Sequence, residues 1–253
     1  MRKKASRITG ALLGTLFSRP KRYIGRRFGC YTIIGFAGEG RYGSCYSAVS
    51  DSENNVIIKR FKPRIFAKNG SRNEYEAVIL SQLNDDRFPE LLGVINQDGF
   101  YAFVLEEKPG KTFEELLFRD NRTLSGKEFY SFGLQLIQIA RHLHEQGIVH
   151  RDIRIPNIIV DESGSISLVD FGLARYAGNE GCKYCQDYSY LGDVLLYLLY
   201  SSFQREEGKR SRPWYIELTL SENQMLLLKR LMGLERIYES IEDIEDDFRA
   251  AFG

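Results

Sequence analysis

Asp152, Asn157 and Asp170 have the types and spacing to hold a metal-bound triphosphate, and they come from two short runs. The first run is His150-Arg151-Asp152-Ile153-Arg154-Ile155-Pro156-Asn157 and the second is Asp170-Phe171-Gly172. Between them, Ile158-Ile159-Val160 and Ser165-Ile166-Ser167-Leu168-Val169 read as strands, with Asp161-Glu162-Ser163-Gly164 as the turn. A hairpin of that size folds Asp170 back beside Asn157. An amide and a carboxylate so placed can hold magnesium ions on phosphate oxygens, while Asp152 can accept the proton of an attacking hydroxyl.

These runs resemble the catalytic loop and metal-binding motif of the bacterial eukaryotic-type (Hanks-type) serine/threonine protein kinases, and Asp170-Phe171-Gly172-Leu173-Ala174-Arg175 extends the match. The resemblance implies an α+β, bilobal fold: a small antiparallel sheet with one main helix, then a mostly helical lobe. It also implies ATP and Mg2+ as cofactors, with Asn157 and Asp170 as metal ligands.

The elements that must position these groups lie upstream. Tyr31-Thr32-Ile33-Ile34-Gly35-Phe36 reads as a strand and Ser44-Cys45-Tyr46-Ser47-Ala48-Val49 as its return, joined by Gly38-Glu39-Gly40-Arg41-Tyr42-Gly43. Glycines without a Cβ let backbone amides approach phosphate oxygens. A dinucleotide fingerprint would open a helix, and here strand-like residues follow. In the resemblance, the stretch Ala37, Gly38, Glu39, Gly40, Arg41, Tyr42, Gly43, Ser44, Cys45 covers the nucleotide, with Ala37 and Cys45 above and below the adenine. Val56-Ile57-Ile58-Lys59 resembles the strand whose lysine meets the α- and β-phosphates, with Ile57 where a smaller residue is usual.

That lysine needs a carboxylate to orient it. Glu76, Ile79, Leu80 and Leu83 recur at helical spacing within Glu74–Leu83, so Glu76 faces the core and Glu74 does not. Phe100-Tyr101-Ala102-Phe103-Val104-Leu105 then leads into Glu106-Glu107-Lys108-Pro109-Gly110, which resembles the hinge between lobes. Leu105 would be the gatekeeper, and the backbone of Glu106 to Lys108 would meet the adenine. From Ser125 to Gly147, the apolar positions Phe129, Phe132, Leu136, Ile139, Ala140 and Leu143 mark a helix supporting the catalytic loop. His142 and His144 read as surface or capping residues, and His150 as a packing and hydrogen-bonding one.

Two departures from the family stand out. Arg154 occupies the position of the usual lysine, keeping the charge but presenting a planar fork. The stretch from Gly172 to Asp187 is a shortened activation segment without Ala-Pro-Glu, and Asp187–Leu199 already resembles the large central helix whose first Asp braces the catalytic loop. Residues 173–186 contain no Ser or Thr, so Glu180 is the fixed charge expected to face Arg151. Cys182-Lys183-Tyr184-Cys185 falls short of the four ligands of a closed zinc site and reads as reduced thiols. Gln224–Leu231 and Ser240–Phe252 read as the last two helices.

Composition fits a soluble enzyme: 253 residues and 43% hydrophobic content allow a sizeable core near the size at which cores split in two. Four cysteines without a credible secretory signal point to a reducing cytosol. No tandem repeat or nucleic-acid-binding motif is present, so no nucleic-acid partner is expected. The net charge of +1 hides an asymmetry: residues 1–29 hold nine Lys or Arg and no acid, leaving 26 basic against 34 acidic residues, or −8, in the remainder. We therefore read 1–29 as a basic, disordered extension and 30–253 as the kinase domain, with lobes at about 30–106 and 107–253. Residues 1–27 could also contact an anionic membrane or an acidic partner.

The expected activity is transfer of the γ-phosphate of ATP to a protein Ser or Thr hydroxyl, with Asp152, Arg154, Lys59 and Glu76 as the catalytic set. The alternatives are a phosphotransferase for a small-molecule hydroxyl and a nucleotide-binding pseudokinase scaffold.

Overall fold

The structure is a computed structural model that describes residues 20–40, 43–62, 71–181, 183–203 and 212–253, without the side chains of 20, 71–73 and 180. Its N-terminal part is a six-stranded antiparallel sheet of β1 (Arg27–Phe28), β2 (Tyr31–Glu39), β3 (Gly43–Ser50), β4 (Asn55–Phe61), β5 (Leu91–Gln97) and β6 (Phe100–Glu106). The strand order is β1-β2-β3-β4-β6-β5. Alternation along β4 sends Ile58 to one face and Lys59 to the other. The outer face carries its own core of Tyr23, Phe28, Ile33, Tyr46, Ile58 and Phe100, among others. The inner face, through Phe61 and Phe103, joins the large core that runs on into the helical part.

β2 reaches Glu39, beyond the expected Phe36, and the expected basic extension is not separate throughout. A 3₁₀ turn at Pro20–Tyr23 and β1 pack on the sheet, because Tyr23 and Phe28 bury their rings against Phe100; the Phe28 and Phe100 rings stack 3.9 Å apart. The expected disordered state of residues 1–19 lies outside the described residues. Strand β5 was not anticipated from sequence; it pairs with β6 across the turn at Asp98 and Gly99.

Helix α1 (Ser71–Gln82) packs under the sheet and buries Ile79 and Leu80. The chain then crosses through β6 and the two-residue strand β7 (Lys111–Thr112) into the helical part. There α2 (Gly126–Glu145) starts at a capping box, in which Glu128 N–H donates to Ser125 Oγ and Ser125 N–H donates back to Glu128 Oε2. All six apolar residues expected to line its core face are buried.

Strand β8 (Ile148–Val149), the hairpin β9 (Ile158–Val160) and β10 (Ile166–Leu168), and β11 (Arg175–Tyr176) follow. The helices α3 (Cys185–Tyr200), α4 (Trp214–Glu217), α5 (Glu222–Leu231) and α6 (Ile241–Phe252) complete the chain. β7 pairs with β9, and β8 with β11, so short ladders hold the loops around Asp152 and Asp170. The architecture is the expected α+β one: an antiparallel sheet with one helix, followed by a mostly helical part.

Candidate active site

β3 and β4 set Cys45 directly opposite Lys59, both beside the cleft. Lys59 is 8% exposed, and its Nζ donates to Glu76 Oε1 at 2.5 Å and to Asp170 Oδ1 at 2.6 Å. Helical phase thus brings Glu76, 2% exposed, to the lysine and leaves Glu74 in solvent. Burial alone would lower the Lys59 ammonium, but the charges of Asp170 and Glu76 outweigh it and hold it above its ordinary value. Burial pushes the Glu76 carboxyl up, further than Lys59 draws it down. Lys59 holds the Asp170 carboxyl down at about 2. Burial pushes the Cys45 thiol up to about 11, so it stays protonated at neutral pH.

The hairpin β9–β10 returns the chain as its sequence requires: Val169 N–H donates to Asn157 O at 2.9 Å, which places Asp170 next to Asn157. Asp170 itself is left-handed, with φ 66°, and its carboxylate accepts from Gly172 N–H at 3.3 Å. Gly172 has a packing reason to be glycine. A Cβ there would stand 3.2 Å from Asp170 Oδ1 and 3.3 Å from Lys59 Nζ, crowding the ion pair.

Asp152 is held from two sides. Arg154 Nε lies 2.8 Å from its Oδ1, and Asn157 Nδ2 donates to its Oδ2 at 3.0 Å and to its backbone carbonyl at 3.0 Å. The loop carrying it is fixed from below by Asp187, which is wholly buried. Asp187 Oδ2 accepts from His150 N–H at 2.9 Å, and Oδ1 accepts from Arg151 N–H at 2.7 Å. His144 Nε2 also donates to Oδ2 at 3.0 Å.

His144 therefore corrects the surface reading: it is 8% exposed and part of the brace under the loop. The signal was available, since Ala140, Leu143 and His144 share a helical face. His150 is fully buried, its ring edge-on to Phe171 with centroids 4.7 Å apart, and burial lowers its pKa.

A cleft of about 320 Å³ brings these parts together, lined by Gly40, Gly43, Cys45, Lys59, Asp152, Arg154, Asp170, Gly172 and Leu173. Other expected residues sit around it rather than in its wall. Ser44, Leu105 and Asn157 are buried, and Gly38 pairs with Cys45 in the strand ladder after Ala37. Glu39 pairs with Lys62 at 2.8 Å. At the expected hinge, Lys108 Nζ donates to Glu106 Oε1 at 2.9 Å and Glu106 N–H donates to Glu90 O at 2.9 Å, so that amide is committed within the protein. Arg41, Tyr42 and Cys182 lie outside the described residues, as does the Glu180 side chain expected to face Arg151. Arg151 Nη1 donates to Leu173 O at 3.5 Å.

The donor set fits a hard cation shared with phosphate. Among the described residues no group of three or more His, Cys, Asp or Glu converges as a cage. Asp170, with its side chain 47% exposed toward the cleft, and Asn157 offer the few oxygens that magnesium takes from protein when phosphates supply others. Lys59 and the half-exposed Arg154 are the cations beside that position that could meet such phosphates.

Comparison with known proteins agrees with this geometry. A family model described as "Protein kinase domain" matches residues 31–205. The chain is 32% identical over 230 residues to "Probable serine/threonine-protein kinase YbdM" of Bacillus subtilis, covering 87% of this chain and 89% of that protein. It is 29% identical over 185 residues to serine/threonine-protein kinase PSK2 of Saccharomyces cerevisiae, covering 65% of this chain and 17% of that protein. It is also 32% identical over 120 residues to the human hormonally up-regulated neu tumor-associated kinase, covering 47% of this chain and 16% of that protein. The chain thus spans most of the Bacillus relative and a small part of the yeast and human ones.

Proposed function

We propose, from the premise that this chain belongs to the protein kinase family, that it transfers the γ-phosphate of ATP to serine or threonine hydroxyls of protein substrates. The observation that carries the reading is the convergence on one cleft of the Lys59 ion pairs with Glu76 and Asp170 and of the braced Asp152 carboxylate. In this reading Lys59 draws the α- and β-phosphates into register, held by Glu76. Asp152, oriented by Arg154 and Asn157, aligns the acceptor hydroxyl and takes its proton as the new P–O bond forms and the bond to ADP breaks. Arg154 offsets charge on the transferring phosphoryl group. Magnesium held by Asn157 and Asp170 would neutralise the phosphate oxygens when bound. Catalysis is then mostly positioning and electrostatics.

The kinase domain in this reading is the expected 30–253 extended back to the turn at Pro20–Tyr23 and β1 that pack on its sheet, divided near residue 106, with adenine placed between Ala37 and Cys45 and against the Leu105–Lys108 segment. The stretch between Gly172 and α3 is a shortened activation segment. Tyr176, one of its tyrosines, donates its hydroxyl to Gln82 on α1, and Tyr184 packs on His144 with centroids 4.5 Å apart. Both side chains already have structural work, which supports activity without phosphorylation of this segment. Among the described residues no helix is long and apolar enough to cross a membrane. We place the enzyme in the cytoplasm.

Labelled ATP offered with protein substrates and a panel of hydroxyl metabolites tests the reading. Asp152→Asn should bind ATP yet lose transfer, whereas Asp170→Asn should also weaken magnesium-dependent binding. Transfer by Asp152→Asn within a few-fold of wild type would overturn the assignment. Label on a metabolite alone would make the acceptor a small molecule, and binding without transfer by wild type would make the protein a scaffold.

A further inference from the structure

Arg60 follows Lys59 on β4, so alternation turns it to the outer face of the sheet. The two adjacent cations have opposite surroundings. Lys59 has two carboxylates, at 2.5 and 2.6 Å. Arg60 is buried to 6% exposure, its Nε has no acceptor, and no ion pair involves it among the described residues.

What surrounds Arg60 is aromatic and cationic. Its guanidinium carbon lies 4.9 Å from the centroid of Tyr23 and 5.3 Å from that of Phe100. The guanidinium carbons of Arg22 and Arg26 lie 4.6 and 5.7 Å from the same Tyr23 ring. Arg22 Nη2 donates to the Tyr23 hydroxyl, whereas a ring face stabilises the Arg60 cation but leaves its Nε–H without an acceptor. Three like charges around one ring repel one another. Arg22 and Arg26 are exposed, so the cluster is open to solvent on one side.

We propose that Arg22, Arg26 and Arg60 form a phosphate-binding site on the outer face of the N-terminal sheet, the face opposite the catalytic cleft, that takes a phosphate dianion. Guanidinium forks match phosphate oxygens, and a dianion offsets the crowded positive charge that the described residues leave uncompensated. The phosphate can come as a free ion or on the headgroup of a phosphorylated lipid. The preceding basic residues Arg2, Lys3, Lys4, Arg7 and Arg19 would reinforce attraction to a bilayer carrying that headgroup.

The test uses the full chain. Inorganic phosphate, titrated calorimetrically at constant ionic strength against chloride, should bind wild type saturably. Arg22→Gln/Arg26→Gln should weaken that binding by about tenfold or more. Lys21→Gln, outside the cluster, should leave it unchanged. Arg60→Met should lose it as well, and if that variant fails to fold, the exposed double variant decides alone. Phosphate held in the catalytic cleft would survive the double substitution.

Sedimentation with phosphatidylcholine vesicles, with and without phosphatidylinositol phosphate, identifies the source. Phosphoinositide-dependent sedimentation lost in the double variant upholds the site with a lipid-borne phosphate. Calorimetric binding lost in that variant without any such sedimentation upholds it with the free ion. Wild type that responds to phosphate no more than to chloride, or a double variant that binds as tightly as wild type, overturns the proposal.

Discussion

Replacing Asp187 with alanine should destabilise the protein by about 3–5 kcal/mol, the cost of leaving buried hydrogen-bond donors without their charged acceptor. Its carboxylate serves the amides of His150 and Arg151 at 2.9 and 2.7 Å and the ring of His144 at 3.0 Å, all from a wholly buried position. The two amides are the main loss, because each backbone N–H stranded in the interior costs roughly 1–3 kcal/mol. Arg151 adds to it: its backbone sits at φ 66°, a strained conformation for a non-glycine residue that its bond to Asp187 helps to hold.

Asp187→Asn separates acceptance from packing. The amide has nearly the same shape but one acceptor oxygen, and its NH2 group would face an N–H, so it should still cost about 2 kcal/mol or more. Urea unfolding followed by far-UV circular dichroism reads both variants. With a slope of roughly 2–3 kcal/mol per molar, the alanine midpoint should fall by about 1–2.5 M. Asp193→Asn, an exposed carboxylate on the same helix, is the control and should leave the midpoint near wild type. An alanine variant within about 0.3 M of wild type would refute the brace.

Glu76→Gln should lower the phosphoryl-transfer rate by roughly 10–100-fold at saturating ATP, whereas Glu74→Gln should stay within a few-fold of wild type; equal effects would remove the Lys59–Glu76 pairing from the mechanism. Gly133→Ala should destabilise by about 1–3 kcal/mol, although alanine favours an exposed helix, because its Cβ would meet Phe248 Cζ at 2.3 Å where α2 and α6 pack. A raised thermal midpoint would show that this contact relaxes freely. Burial holds His150 below its ordinary 6.5, so the unfolded chain binds a proton that the folded chain refuses, and stability should fall as pH drops below about 6.5 toward the lower folded value. Denaturant midpoints at pH 7.5 and 5.5 should fall further for wild type than for His150→Gln, and parallel falls would assign the acid loss to other groups.

Local signals in the sequence translated well into placement. Helical phase selects Glu76 over Glu74, the four-residue turn after Val160 returns Asp170 to Asn157, and the apolar period from Ser125 onward locates α2. What escaped depends on distant partners or on a mixed pattern. β5 breaks strand alternation with Gly93 and exposes Leu92 and Val94, at 42% and 52%, so its period is blurred. The Asp98-Gly99 turn was the readable clue, since both residues have positive φ, 49° and 73°, as a tight hairpin turn favours. The cationic stretch before residue 30 hides Tyr23 and Phe28, whose rings decide that residues 20–28 join the sheet. The burial of His144 was legible from its helical face, but its partner, Asp187, lies 43 residues away and was not.

The ion pairs around Lys59 are unequal, and the inequality suits the proposed reaction. Glu76 is 2% exposed on a helix packed under the sheet, whereas the Asp170 side chain is 47% exposed at the mouth of a tight turn. Glu76 is therefore the permanent partner and Asp170 the exchangeable one. If Asp170 turns to another cation, Lys59 keeps one buried carboxylate and is not left as an uncompensated charge, the costly outcome for an ammonium in a low-dielectric site. The freed N–H donors of Lys59 then face the cleft beside Gly43 and Cys45, where phosphate oxygens can accept them. Asp152 follows the same arrangement, with Arg154 as its exposed partner and Asn157 as its buried one. Lys59 and Asp152 are thus each tied to a fixed partner on the protein side and a replaceable one on the cleft side, so in the proposed reaction substrate would be engaged by exchanging ion pairs rather than by unfolding the site.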